Sequence, residues 1–210
     1  MTTLLKLSLS LLLLTASCLA QTMVGLQGGI NWSNYDIKPT PGNVYGTGLG
    51  PNIGLLVQSK LLDELYVIGG LSYVKKTIPW LVHQYLESSS PDIEFNYEFT
   101  QLSVSLKKEF PIYSLGPYIM VGGTCGFLNS ASYVDDRFGG PAYTVGWSND
   151  ARRTDFDLNL GLGLSYHLDD AVSIFVDVKY SYDLVSLSKE ATGNTYIRST
   201  QGSCGILVGI

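Results

Sequence analysis

Between Thr154 and Leu184 the chain reads TDFDLNLGLGLSYHLDDAVSIFVDVKYSYDL, and taking every second position separates it into two unlike rows. Phe156, Leu158, Leu160, Leu162, Leu164 and Tyr166 form one row; Asp155, Asp157, Asn159, Gly161, Gly163 and Ser165 form the other. A period of two belongs to β-strands, whose successive side chains leave opposite faces of the sheet. One face must therefore meet an apolar medium while the other meets water or polar side chains.

The register of this hairpin follows from its pattern. Opposed residues of an antiparallel pair point to the same side, so like must face like across an odd loop. The three residues Asp169, Asp170 and Ala171 place Tyr166 opposite Ile174, Leu164 opposite Val176, Leu162 opposite Val178 and Leu160 opposite Tyr180. On the other face Gly163 meets Asp177, Gly161 meets Lys179, Asn159 meets Ser181 and Asp157 meets Asp183. Glycine falls where a charged side chain needs room. A slip of one residue would reverse every side chain.

Strand-like runs recur over residues 22–33, 46–59, 64–76, 94–109, 116–130, 154–168, 172–186 and 195–210. Their connections alternate: KLLDE, EFPIYSLG and LDDA are short, whereas 34–45, 77–93, 131–153 and 187–194 are longer and rich in Pro, Gly, Asn, Asp and Ser. Short turns at one end and long loops at the other are the habit of an outer-membrane barrel, and an even strand count returns both termini to the turn side. The fold expected is all-β, an eight-stranded antiparallel up-and-down transmembrane barrel over residues 21–210. With 23 Gly and 14 Tyr but only 15% charged residues, composition agrees.

Ahead of it, Lys6 and LSLSLLLLTASCLA form an apolar run too short to span a bilayer as a helix, closed by small residues. Residues 1–20 read as a secretory signal cleaved after Ala20. Lipid attachment at Cys18 is the rival, disfavoured because Thr15 stands where a larger aliphatic residue is usual. Cys125 and Cys204 fall on strands that are not neighbours, too far apart for a disulfide, and are expected to stay free. The net charge of −5 gives no basic footprint for nucleic acid.

Alternation alone does not say which row is inside, since a soluble barrel would turn the leucines inward. Strand length does: runs of about 12–15 residues exceed the soluble mode of about 5–6 and satisfy the roughly 9–11 that a membrane demands. Phe156 and Tyr166 bracket one apolar row ten positions apart, roughly 25 Å of height at a tilt near 40°. A polar row crowded with glycine suits the narrow lumen of eight strands. The lumen is thus predicted to hold Asp155, Asp157, Asn159, Asp177, Lys179 and Asp183. In the fourth run, Phe95, Tyr97 and Phe99 alternate at odd positions but Leu102, Val104 and Leu106 at even ones, so a β-bulge near Thr100-Gln101 is predicted to keep both sets outward.

LSYVKK (71–76), QLSVSLKKEF (101–110), GPYIMVGGTCGFL (116–128) and DLNLGLGLSYHLDDAVSIFVDVKYSYDL (157–184) resemble the PorT-like outer-membrane β-barrel family of Bacteroidetes-type bacteria. The resemblance implies an eight-stranded barrel in the outer membrane of a Gram-negative cell and no established activity for most members. The chain departs from outer-membrane barrels in ending at Ile210, where a terminal aromatic is usual.

Chemistry is sparse. Two histidines are the whole supply, His83 in a long loop and His167 at a short turn, and no spacing supplies either with a partner, so a catalytic site is not expected. Asp155, Asp157 and Asp183 have the residue types of a cation site, but a hydrogen-bonded polar plug accounts for them, and no metal or cofactor is expected. DDR at 135–137 lacks ligand spacing, and GLGLS at 161–165 lies inside a strand with no helix to hold a phosphate. Among the long loops, Trp80, Tyr133, Arg137, Phe138, Tyr143 and Trp147 are the residue types that anchor interfaces. The expected function is a non-enzymatic, monomeric barrel with a plugged lumen and loops that contact a protein or surface ligand; a small solute pore is the alternative, an outer-leaflet enzyme the third.

Overall fold

The computed structural model describes residues 22–38, 44–81, 93–135, 143–146, 153–185 and 194–210. They form β1 (Thr22–Lys38), β2 (Val44–Tyr45), β3 (Gly48–Leu62), β4 (Leu65–Leu81), β5 (Ile93–Glu109), β6 (Leu115–Asp135), β7 (Tyr143–Gly146), β8 (Thr154–His167), β9 (Val172–Asp183) and β10 (Asn194–Gly209). The eight long strands pair antiparallel in the order β4-β3-β1-β10-β9-β8-β6-β5, and β5 pairs back onto β4. The sheet is a closed eight-stranded barrel with no free edge along its walls. No helix occurs among the described residues.

The β8–β9 hairpin has the register that its alternation predicts, from Tyr166 opposite Ile174 to Asp157 opposite Asp183. Its turn is closed by the Leu168 N–H donating to the Val172 carbonyl, and Asp169 Oδ1 accepts the N–H groups of Ala171 and Val172. The other two short turns each hold a non-glycine residue at positive φ, Glu64 and Tyr113. Thr22 and Ile210, the first and last described residues, lie at this turn end, where the Ile210 N–H donates to the Thr22 carbonyl. The opposite, outer end carries the long connections. There β1 runs on to Lys38, β4 to Leu81 and β6 to Asp135, into stretches whose turn-rich composition predicts loop; pairing continues because β10 faces β1, β2 and β5 face β4, and β5 and β7 face β6.

The faces answer which row is inside. Leu160 and Leu162 are 65% and 66% exposed on the outer wall, whereas Asp155, Asp157, Asn159 and Asp183 are buried in the lumen. A continuous apolar outer surface around a polar interior is the reverse of a water-soluble domain, and only a lipid surround accepts it. Outward-facing, exposed Tyr73, Phe127, Phe156 and Tyr182 mark the outer boundary of this belt, and Tyr166 lies toward the turn end.

The predicted bulge at Thr100-Gln101 is absent. Odd positions of β5 face inward throughout, so Tyr97 and Phe99 are buried in the barrel in line with Gln101 and Lys107, while Leu102, Val104 and Leu106 face lipid. The irregularity sits on the neighbouring strand: Glu98 pairs with Ser130 and Phe99 with Leu128, which leaves Asn129 of β6 without a counterpart. Asn129 turns outward and donates from Nδ2 to Thr100 Oγ1 at 3.0 Å. The aromatics face inward because they lie beyond the lipid belt, where water surrounds the wall and an apolar row gains by burial. Ile78, Tyr97, Phe99, Ala131 and Ile197 close over one another there, joined by Tyr35, Phe95 and Leu128. The Tyr35 and Tyr97 hydroxyls are hydrogen-bonded within this cap.

Cys125 and Cys204 are free thiols on β6 and β10, separated by β8 and β9.

Candidate functional site

Between the apolar cap and the turn-end mouth the lumen is occupied by side chains of alternate positions. Beneath the apolar cap lies Lys76, the inward member of the Lys75-Lys76 pair on β4 and only 1% exposed. Its Nζ stands 2.8 Å from Asp155 Oδ2, 3.6 Å from Asp157 Oδ2 and 3.7 Å from Asp183 Oδ1. The Phe99 ring lies 5.1 Å from the ammonium, and Asp183 Oδ2 accepts the Ile197 backbone N–H at 2.7 Å. Carboxylate oxygens of the three aspartates come within 4.8 Å of one another, a donor set that suits a hard cation. The lysine ammonium occupies that role. Isolated buried carboxylates are costly, and a lysine threaded across the lumen offsets one of the three charges while tying β4 to β8 and β9.

Farther down, Asn159 donates to Thr124 Oγ1 at 2.6 Å and accepts from Ser181 Oγ at 2.8 Å, linking β6, β8 and β9. Next come Asp177 and Lys179. The Tyr118 hydroxyl donates to Asp177 Oδ2 at 3.1 Å, and its ring occupies the space that a side chain at Gly163 would need. At Gly161, a Cβ would lie 2.9 Å from both Lys179 Cγ and Met120 Cγ, so the glycine leaves a slot for the lysine stem. A cavity of about 30 Å³ among Gln27, Ser105, Tyr118, Asp177 and Lys179 has room for a water or two.

At the turn end Lys107 of β5 forms an ion pair with Glu109 Oε2 at 2.7 Å and donates to Ser165 Oγ at 2.9 Å and Gln58 Oε1 at 3.3 Å. Its ammonium also lies 4.2 Å from the centre of the Tyr118 ring. Glu109 Oε1 then meets His167 Nε2 at 2.5 Å, and His167 Nδ1 meets Ser173 Oγ at 2.7 Å.

All six polar residues of the lumen row point inward, but they do not form one cluster. Asp155, Asp157 and Asp183 converge on Lys76, Asn159 binds neutral hydroxyls, and Asp177 and Lys179 belong to the turn-side half. The sequence pattern missed Lys76, Lys107, Glu109 and Tyr118, and it gave His167 no partner. Parity could have found the cations: in any tandem pair on a strand one residue faces in, and Lys76 and Lys107 share the parity of polar Ser72 and Gln101.

Of the loop residues, Trp80 lies on β4, opposite Tyr45 and Ile93. Tyr133 lies on β6 with its ring 6.3 Å from that of Phe95, and Tyr143 lies on β7 opposite Asp135. Arg137, Phe138, Trp147 and His83 fall outside the described residues.

No curated protein matches the chain. Among solved structures it is similar to Neisserial surface protein A, with a TM-score of 0.50 and 15% identity over 89% of this chain and 97% of that one. It is similar also to OprG from Pseudomonas aeruginosa, with a TM-score of 0.51 and 12% identity over 91% of this chain and 96% of that one. At such identities the likeness is one of fold. In sequence, the outer membrane protein beta-barrel domain matches residues 7–203, nearly the whole length of the chain, and this protein belongs to that family.

Proposed function

We propose that this outer-membrane barrel is a sealed structural element that presents binding contacts at its outer end and conducts no solute. The observation that carries the reading is the obstruction at two levels, the Lys76 cluster and the apolar cap above it. An ion crossing the lumen would have to separate Lys76 from Asp155 and part Tyr97, Phe99 and Ile197. A pore of eight strands is narrow to begin with, and this one is filled. Purified monomer in planar bilayers is therefore expected to give no steady current. Sustained single-channel openings would overturn the plug and favour the pore.

Binding falls to the outer connections, whose Arg137, Phe138 and Trp147 are suited to anchor a protein or surface ligand. Crosslinking on intact outer membranes should capture a defined partner, and Trp147→Ala should reduce the yield; capture indifferent to the loop residues counts against the assignment. Lipid covers the wall between Phe156 and Tyr166. In this reading residues 1–20 are the export signal, the barrel works as a monomer without metal or cofactor, and no chemistry takes place at the outer end. The PorT-like branch is the finer placement, supported by the segments around Lys76, Lys107 and the β8–β9 hairpin.

A further inference from the structure

The turn end of the lumen holds an arrangement that plugging does not require. His167, the last residue of β8, keeps a third of its side chain exposed and bridges Glu109 of β5 and Ser173 of β9 through its two ring nitrogens. A carboxylate only accepts, so Nε2 carries the ring proton toward Glu109, and the bare Nδ1 accepts the hydroxyl proton of Ser173. This is the tautomer a general base needs. Glu109 is fixed in turn by Lys107 at 2.7 Å, and its carboxylate occupies the space that a side chain at Gly116 would fill. Beside these residues opens a cavity of about 640 Å³ at the barrel mouth, lined among others by Gln58, Tyr66, His167, Asp169, Asp170 and Ser173. Lys107 donates to the Gln58 carbonyl oxygen, which holds Gln58 at the wall of that cavity.

We propose that Ser173 and His167, oriented by Glu109, form a nucleophilic centre at the turn-end mouth that cleaves small carboxylic esters. Ser173 Oγ attacks the ester carbonyl carbon as its proton passes to His167 Nδ1, and the carbonyl electron pair moves onto the oxygen. Collapse of the tetrahedral species breaks the bond to the alcohol, which leaves with the proton from His167. Water then attacks the acyl-serine by the same route, releasing the acid and restoring Ser173 and neutral His167. Glu109 is a positioning residue: it holds the ring and offsets the charge of the transient imidazolium. Ser173 is only 2% exposed, so the acyl group admitted is short, and Asp169 and Asp170 at the mouth disfavour anionic esters. The centre lies at the opposite end from the proposed binding loops, so its failure and theirs are separable.

The test uses the full chain folded in detergent, with a fluorophosphonate probe and p-nitrophenyl acetate. Mass spectrometry is expected to find the probe on Ser173 and ester hydrolysis in parallel. Ser173→Ala abolishes both, and His167→Ala slows both by about 10²–10⁴-fold. Glu109→Gln lowers kcat with KM retained, which a merely structural contact would not do selectively. Each variant is first shown to be folded by its heat-dependent gel mobility. Folded wild type that takes up no probe, or labelling that proceeds undiminished in His167→Ala, would overturn the proposal and leave the three residues as a closing contact.

Discussion

Lys76→Met is expected to destabilise the barrel by about 3–5 kcal/mol, because it strips the cation from three carboxylates held in a closed space. The methionine fills most of the lysine's volume, so the loss is electrostatic and not one of packing. Lys75→Met is the internal control. Lys75 is half-buried on the outer side of the same strand, opposite Glu98 in register, where a surface charge contributes about 1 kcal/mol or less. Urea titrations of folding into lipid vesicles measure both. Replacing Asp155, Asp157 and Asp183 by Asn together with Lys76→Met should recover much of the loss, since neutral amides hydrogen-bond one another without a counter-charge. Equal midpoints for Lys76→Met and Lys75→Met would mean that the carboxylates do not depend on the lysine.

The second large effect separates two neighbours in sequence. Leu160 is exposed in the middle of the lipid belt, so Leu160→Arg places a charge in hydrocarbon and should cost about 2–4 kcal/mol, read as poor insertion or a lowered urea midpoint. Asn159, one residue away, is 5% exposed and joins Thr124 to Ser181. Asn159→Leu, which a lipid-facing site would accept, should cost about 1–3 kcal/mol by leaving those hydroxyls without a partner. Asn159→Ser should cost about 1 kcal/mol or less, because a smaller hydroxyl and a water can replace the amide. If the chain folded without detergent and tolerated Asn159→Leu, the lipid-facing wall would have been assigned to the wrong row.

The β8–β9 hairpin was legible residue by residue because three constraints coincide there: a period of two, a loop whose parity is fixed, and glycines opposite long charged side chains. β5 was misread for a physical reason. An apolar row marks the outside of a wall in lipid but the inside of a wall in water, and Phe95, Tyr97 and Phe99 lie past the boundary between the two. Alternation carries no mark of that boundary; the polar outward residues Glu98 and Thr100, on the opposite face of the same strand, were the available sign. Ser173 lies opposite His167 in that same hairpin register, but the lumen contacts of Lys76 and the contact of His167 with Glu109 were out of reach for another reason. They join strands that are not paired with each other, β4 with β8 and β9, and β5 with β8, so their meeting depends on the tilt and closure of the whole barrel rather than on any local spacing.

Asn129, the unmatched residue of β6, separates two frames of inheritance. Below it, even positions of β6 face the lumen; above it, Ala131 and Tyr133 do so at odd ones, as if a compensating insertion had been written into the strand. Each half of this wall therefore keeps its own phase, the lower one disciplined by lipid and the upper one by a water-excluding cap. A change in the phase of the upper half therefore leaves unreversed the faces of the half that the membrane holds.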